Sequence, residues 1–228
     1  MSKEEIRIFS LGDSAVTVEF GKTVSVARNK KAIALSEYFE QNYFPGFVES
    51  VPAYASTTIF YDLLAVRRGF PEFPSAFEAV KKLVEAAVQI PDLSRKDSAR
   101  AVEIPVHFDK QSALDLEYVA ESSGLSPRQV IETFTAATYR VFMLGFLPGF
   151  TYMGEVDDRI AIPRKESPRL AVPKGSVGVA GKQTGVYSLE SPGGWQIIGR
   201  TDVEMFMPNA DPPTYLRPGD QVRFVAVK

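Results

Sequence analysis

The chain has 228 residues, 45% of them hydrophobic and 24% charged, with a formal net charge of −2; that is enough for one large domain or two small ones, and it lacks the basic surplus a nucleic-acid backbone demands. Cysteine is absent, which excludes disulfides, thiolate metal sites and cysteine nucleophiles. No apolar run approaches the ~20 residues of a membrane span and the start, MSKEEIRIF, has no apolar signal core, so a cytoplasmic location is the expectation.

The first part reads as mixed α/β. Ile6 and Ile8, then Val16, Val18 and Phe20, alternate as in half-buried strands around a turn at Leu11-Gly12-Asp13-Ser14. Ser25 is placed to cap a helix running to about Tyr43, with Ala34/Tyr38 and Leu35/Phe39 as i,i+4 pairs and Pro45-Gly46 as its stop. Val48 to Tyr61 is apolar and β-branched, and predicts strands interrupted near Pro52. Ser75 and Glu78 have capping-box spacing, ahead of a helical face of Phe77, Val80, Val84 and Val88. The order β-β-α-β-β-α suits a small sheet covered by two helices, over residues 1–91. The stretch 91–100, PDLSRKDSAR, is polar and aperiodic and reads as a linker.

A second unit spans 101–228. Val102–Val106 predicts a strand, Asp115 to Ser123 a short helix ended by Gly124. Ser126-Pro127-Arg128-Gln129 starts another helix, with Pro at the first helical position and Gln at the capping-box position. Beyond it, eleven of the 16 glycines and nine of the 16 prolines lie between Gly145 and Gly219. The apolar runs between these breakers are short: Tyr139–Leu144, Ser176–Ala180, Trp195–Ile198, Val203–Met207 and Val222–Val227. Short strands broken by frequent turn residues indicate a β-sandwich or barrel.

The loops between those strands carry the residues suited to a site: GFLPGF from Gly145, PRKESPR from Pro163, GKQTG from Gly181 and SPGGW from Ser191. Glycine lets a backbone approach a ligand closely, arginine offers a planar fork to an anion, and Trp195 and the phenylalanines supply stacking walls. From Arg140 to Arg200 eight Lys/Arg stand against five Asp/Glu, a local positive excess that suits an anionic small ligand. The same glycines and prolines also suit tight barrel corners with no ligand at all, and composition leaves both readings open. Phosphate-loop patterns fail: Gly181-Lys182 is preceded five residues earlier by Ser176 and followed by Gln183. His107, the single histidine, reads more readily as a surface or edge residue than as a general base. Arg140 lies inside an apolar strand on the face of Phe142, and a charge there needs either solvent or a partner.

The segments GFLPGFTYMG, PRKESPR, VPKGSVGVAGKQTGVY and SPGGWQIIGRT, in this order, resemble the 5-oxoprolinase B-subunit family, also called allophanate hydrolase subunit 1. Leu11-Gly12-Asp13, Val51-Pro52-Ala53-Tyr54, Pro218-Gly219-Asp220 and Val222-Arg223-Phe224 carry the resemblance to both ends. It implies an α+β fold in which a small α/β N-terminal domain (1–91) is followed by a cyclophilin-like β-barrel C-terminal domain (101–228). It also implies two partners, the larger sister protein known as the C component and a separate A component. With them the complex cleaves 5-oxoproline to glutamate using ATP with Mg. The nucleotide belongs to the complex, and none is expected on the isolated chain. Other branches serve as modules of urea carboxylase and urea amidolyase, and one inhibits a sporulation histidine kinase, which makes a histidine kinase the alternative partner. Neither nucleic acid nor membrane is expected as a partner. On the enzyme reading, Arg140, Arg200 and Gln183 are the catalytic candidates. Gly145, Pro148, Phe150, Arg164, Arg169, Lys182, Thr184 and Trp195 are the ligand-binding candidates, with no metal site. The sequence departs from the family pattern at Phe134, where the family usually has a histidine, at Asp202, where it often has a proline, and at Ser188, where it has a proline after Tyr187.

Overall fold

In the computed structural model, which describes residues 6–90 and 99–227, the chain divides into two units, Met1–Ser98 and Ala99–Lys228. Residues 91–98 of the stretch read as a linker lie outside the described residues.

In the first unit, β1 (Arg7–Ser10), β2 (Ala15–Glu19), β3 (Phe47–Pro52) and β4 (Ser56–Tyr61) form an antiparallel sheet in the order β1-β2-β4-β3. Alternation puts Val16, Val18, Ile59 and Tyr61 on one face, all buried. Helix α1 (Val26–Gln41) packs there on β3 and β4. Its N-terminus is capped by Ser25, whose side chain accepts from the Arg28 N–H. Thr57 ties the sheet to the helix by donating to the Ala32 carbonyl (2.6 Å). Helix α3 (Ala76–Val88), capped by Ser75, buries Val80 and Val84 in the same core. Between them lies α2 (Leu63–Gly69), which the periodicity does not predict. It is one short helix started by Asp62, whose carboxylate accepts from the Ala65 N–H (2.7 Å).

The second unit is built on one strongly curled sheet. Its strands are β5 (Ala101–Val106), β6 (Tyr139–Leu144), β7 (Thr151–Gly154), β9 (Ser176–Ala180), β10 (Gln183–Val186), β12 (Gln196–Arg200) and β13 (Gln221–Ala226), in the order β12-β9-β10-β7-β6-β13-β5. The chain between them forms the two-stranded pair β8 (Arg169–Val172) and β11 (Ser191–Gly193). The two edges of the long sheet meet: His107 and Arg200 exchange both backbone hydrogen bonds (2.7 and 3.0 Å), so the sheet is a nearly closed barrel. Closure removes the unpaired edge that an open sheet presents to solvent. Helices α4 (Leu116–Ser123), ended by Gly124 in a left-handed conformation, and α5 (Pro127–Ala136), started by the Ser126/Gln129 capping box, pack on one face.

The run Val203–Met207 is not a strand. Met205 is buried, but only Phe206 forms a bridge, with Thr214. Pro208, Pro212 and Pro213 follow closely, and residues without an N–H cannot extend a ladder. Among the described residues no helix is long and apolar enough to cross a membrane.

Phe134 is wholly buried, with its ring 5.0 Å from both Tyr139 and Phe224. Phe134, where the resemblance leads one to expect a histidine, therefore belongs to the main core. Phe134→Ala is expected to destabilise the second unit by about 3–5 kcal/mol, the usual cost of emptying a buried aromatic site. Urea denaturation checks this, and a loss below about 1 kcal/mol would contradict the packing described.

Candidate functional site

The curled sheet has two faces with different contents. Val177 and Val179 of β9, Val186 of β10 and Ile198 of β12 point into the main core with α4 and α5. The alternate positions face the other way and meet a second cluster of Phe150, Tyr187, Trp195 and Ile197. On that side Gly178 of β9 stands opposite Gly185 of β10. A Cβ on Gly185 would run into the Thr151 carbonyl and the rings of Phe150 and Trp195, and one on Gly178 into Trp195 itself. The paired glycines are what allows the rings to settle against bare backbone.

The rings pack edge to face. Phe150 lies 5.1 Å from Tyr187 and 5.6 Å from Trp195, and Tyr152 lies 5.8 Å from Trp195, the arrangement that matches positive ring edges to negative faces. They wall a cavity of about 250 Å³. Phe146 stands at its rim, 61% exposed and with a left-handed backbone, φ 70°. That conformation costs a non-glycine residue roughly 1–2 kcal/mol; here it aims the ring edge-on at Phe150 and Tyr187. The Arg164 guanidinium stands 5.9 Å over the Trp195 ring, within cation–π range. Burial pushes the Tyr187 phenol up, against the Trp195 N–H and the guanidiniums of Arg164 and Arg169, which pull it down. The phenol is thus neutral and able to donate.

The rim is held by a carboxylate. Asp115, 5% exposed, accepts from both terminal nitrogens of Arg169 (2.7 Å each), from Lys165 (3.1 Å) and from the Ile197 N–H (2.7 Å). Burial works to raise its pKa, but the Arg169, Ile197 and Lys165 hydrogen bonds prevail and hold the carboxyl below its ordinary value.

The structure gathers Phe150, Arg164 and Trp195 at this cavity, with Arg169 next to its wall residue Pro168. Gly145 and exposed Pro148 belong to the loop that leads into Phe150, where the Gly145 N–H donates to the Phe150 carbonyl (3.1 Å). Thr184 is buried on β10 and donates to the Gly178 carbonyl (2.9 Å). Arg140 and Gln183 sit elsewhere: both flank Gly154 on neighbouring strands, at the opposite end of β7 from Thr151. Arg140 is buried there, 3.4 Å from the Gly219 carbonyl. Lys182, the next residue, is exposed and paired with Asp158 (2.6 Å). Arg200 is at the barrel seam with His107, whose Nε2 lies 3.2 Å from Asp202. Sequence reasoning passes over Asp115, Tyr152 and Tyr187 as site residues: Asp115 is read only as the start of a short helix, and the two tyrosines only as members of the resembling segments. Among the described residues no cluster of His, Asp or Glu could hold a metal ion.

Residues 6–216 match the family model described as carboxyltransferase domain, subdomain C and D. The chain is 46% identical over 222 residues to the B subunit of 5-oxoprolinase from Bacillus subtilis, covering 97% of this chain and 92% of the relative. It is 38% identical to the B subunit of 5-oxoprolinase from Escherichia coli O157:H7, covering 99% and 98%. The solved structure of TTHA0988 superposes with a TM-score of 0.79 at 37% identity over 98% of this chain, which spans only 40% of that longer one.

The Asp115 cluster generates an acid-stability prediction. A carboxyl held below its ordinary value of 3.8 stabilises the fold fully above that pH. The contribution is lost as pH falls from there through the folded-state value, because the unfolded chain takes the proton first. Asp115→Asn is expected to cost on the order of 2 kcal/mol at neutral pH, less than a wholly buried pair because Arg169 and Lys165 keep contact with water. The variant should also show a shallower loss of stability below about pH 4 than the wild type. Urea melts across pH check both, and parallel acid profiles would contradict the assignment.

Proposed function

The chain belongs to the carboxyltransferase domain, subdomain C and D, family and groups there with proteins named as the B subunit of 5-oxoprolinase, and on that premise we propose that it is the B subunit of an ATP-dependent 5-oxoprolinase, acting with an A component and a larger C component to open 5-oxoproline to glutamate. The observation that carries this reading is the aromatic cavity with one cation at its mouth. Among the described residues Arg164 has no acidic partner, while Trp195, Phe150 and Tyr187 provide flat walls and a phenol donor. A small ring bearing one carboxylate suits that set: the guanidinium takes the carboxylate, the rings take the faces of the lactam, and Tyr187 donates to a carbonyl.

ATP bound in the complex would transfer its terminal phosphoryl group to the lactam oxygen, leaving ADP, and water would then attack the activated carbonyl carbon, with opening of the ring and release of phosphate. The cavity does not fit the nucleotide, since a single guanidinium does not match the several charges of a triphosphate, and Lys182 is already engaged by Asp158. We therefore assign ATP and its Mg to another component of the complex. This chain binds and orients the ring and keeps water from its faces, and catalysis by the complex is mainly positioning and charge neutralisation. In this proposal Arg200, exposed at the seam and without an acidic partner among the described residues, meets an anionic group brought by a neighbouring protein. Arg140 and Gln183 form a second polar position on the same face of the sheet.

A second reading is favoured by one observation. Phe146 is 61% exposed at the cavity rim and Leu170, next to Arg169, is 91% exposed, as suits a surface that clasps another protein. A regulatory binding protein directed at a histidine kinase would use it without catalysis. Pull-down with purified kinases and an autophosphorylation assay separate the two readings, and kinase inhibition without lactam-dependent turnover would favour the second.

For the enzyme, lactam-dependent ATP hydrolysis is expected only when this chain is mixed with both the A and the C components. In that mixture Arg164→Gln should raise the KM for the lactam about tenfold with kcat less affected, the mark of lost carboxylate binding. Unchanged kinetics would remove Arg164 from the site, and an inactive complete mixture would remove the enzyme reading.

A further inference from the structure

We propose that Asp115 is a positioning residue for the aromatic cavity: by clamping Lys165 and Arg169 it holds Arg164 over Trp195 and so sets the cavity's preference for anions. The inference rests on the reading of this cavity as an anion-accepting site.

Asp115 lies just before α4, 49 residues ahead of Arg164 in sequence, and it makes no side-chain hydrogen bond to cap that helix. Its carboxylate is spent instead on distant groups. One oxygen accepts from Arg169 and from the Ile197 N–H, the other from Arg169 and Lys165, and its own N–H donates to the Ile197 carbonyl (2.7 Å). Asp115 thereby pairs with β12 as a strand residue would, while presenting its charge to the segment that crosses the cavity mouth.

That segment is fastened on both sides of Arg164. The Pro163 carbonyl accepts from the Gln196 side-chain amide (3.2 Å), and the Lys165 N–H donates to the Gly194 carbonyl (2.7 Å). The Lys165 ammonium and the Arg169 guanidinium are then both drawn to Asp115. With its neighbours on either side anchored, the Arg164 backbone is held opposite Trp195, and its exposed side chain reaches the face of the ring. Arg169 and Lys165 are both engaged by the one Asp115 carboxylate, while Arg164, over the Trp195 ring, has no carboxylate partner among the described residues and is the cation an incoming anion meets at the cavity. A chain without the clamp keeps the same aromatic walls and the same arginine but loses their registration.

Trp195 is the only tryptophan, so its fluorescence reports on this cavity alone in the full chain. Iodide serves as the anionic probe and acrylamide as the neutral one. In the wild-type background Arg164→Gln is expected to lower the iodide quenching constant, relative to acrylamide, about threefold, because the nearest cation is lost. In the Asp115→Asn background the same substitution is expected to change it little, since Arg164 has already been released. A role in stability alone moves the melting temperature and leaves the effect of Arg164→Gln equal in both backgrounds, so the double-mutant comparison isolates positioning. An equal threefold drop in both backgrounds overturns the proposal while leaving the cavity reading intact. No effect of Arg164→Gln in the wild-type background overturns the cavity reading and the proposal with it. Should Asp115→Asn fail to fold, Lys165→Met, which removes a single partly exposed partner of the clamp, is expected to reduce the effect of Arg164→Gln, and an undiminished effect there also overturns the proposal.

Discussion

A buried carboxylate facing a strand edge on one side and two cations on the other is the interaction on which the second unit depends. The curled sheet ends at β12, whose outer N–H and carbonyl groups need partners once covered. The His107–Arg200 bridge supplies them at one end of that strand, and Asp115 supplies them at Ile197. Replacing a buried ion pair by well-packed apolar groups is often neutral or favourable for stability, so the cluster is poorly explained as a source of stability alone. What charges achieve, and apolar contacts do not, is a single geometry. Four donors converge on two oxygens with directional bonds, three of them from side chains of the 163–169 segment.

The same sheet serves two purposes because strand alternation keeps its faces independent. Large β-branched residues on one face meet α4 and α5, and Phe134, Tyr139 and Phe224 stack there. The other face is pared down to Gly178 and Gly185 where the Trp195 and Phe150 rings approach. A position on the first face packs the main core, and a position on the second shapes the aromatic cavity. Phe134 is of the first kind: its side chain is enclosed by aromatic neighbours, on the side of the sheet away from Trp195.

Much of the fold is legible in the sequence where a single local signal decides the outcome. Ser25, Ser75 and the Ser126/Gln129 pair cap the helices they are expected to cap, Gly124 ends α4, and Tyr139–Leu144 and Ser176–Ala180 are strands at the bounds read from their apolar runs. The strands β7, β8, β10 and β11 are missed because each has only three or four residues, too few for alternation to register. Val203–Met207 is overread because apolar content alone does not make a ladder when the next segment is rich in proline. Of the cavity, Phe150, Arg164 and Trp195 are legible as residue types in glycine-rich loops. Asp115 is not, because its role depends on contacts 50 to 82 residues away that no periodicity encodes.

The charge balance shows how a sequence-level excess turns into a specific feature. Of the eight cations between Arg140 and Arg200, Arg159, Lys174 and Lys182 pair with Asp157, Glu204 and Asp158, while Lys165 and Arg169 share Asp115. Two of those acids, Asp115 and Glu204, lie outside the stretch, so counting within it overstates the free positive charge. Arg140 is buried among strands. Among the described residues that leaves Arg164 and Arg200 without an acidic partner, one at the aromatic cavity and one at the barrel seam, beside the one net positive charge of the Asp115 cluster. A lone guanidinium above stacked rings suits a ligand with one negative charge and a flat body, and it falls short of what phosphoryl transfer requires. If this surface takes part in such chemistry, the further positive charge has to come from another chain, and that is the physical reason to regard the cavity as half of a site.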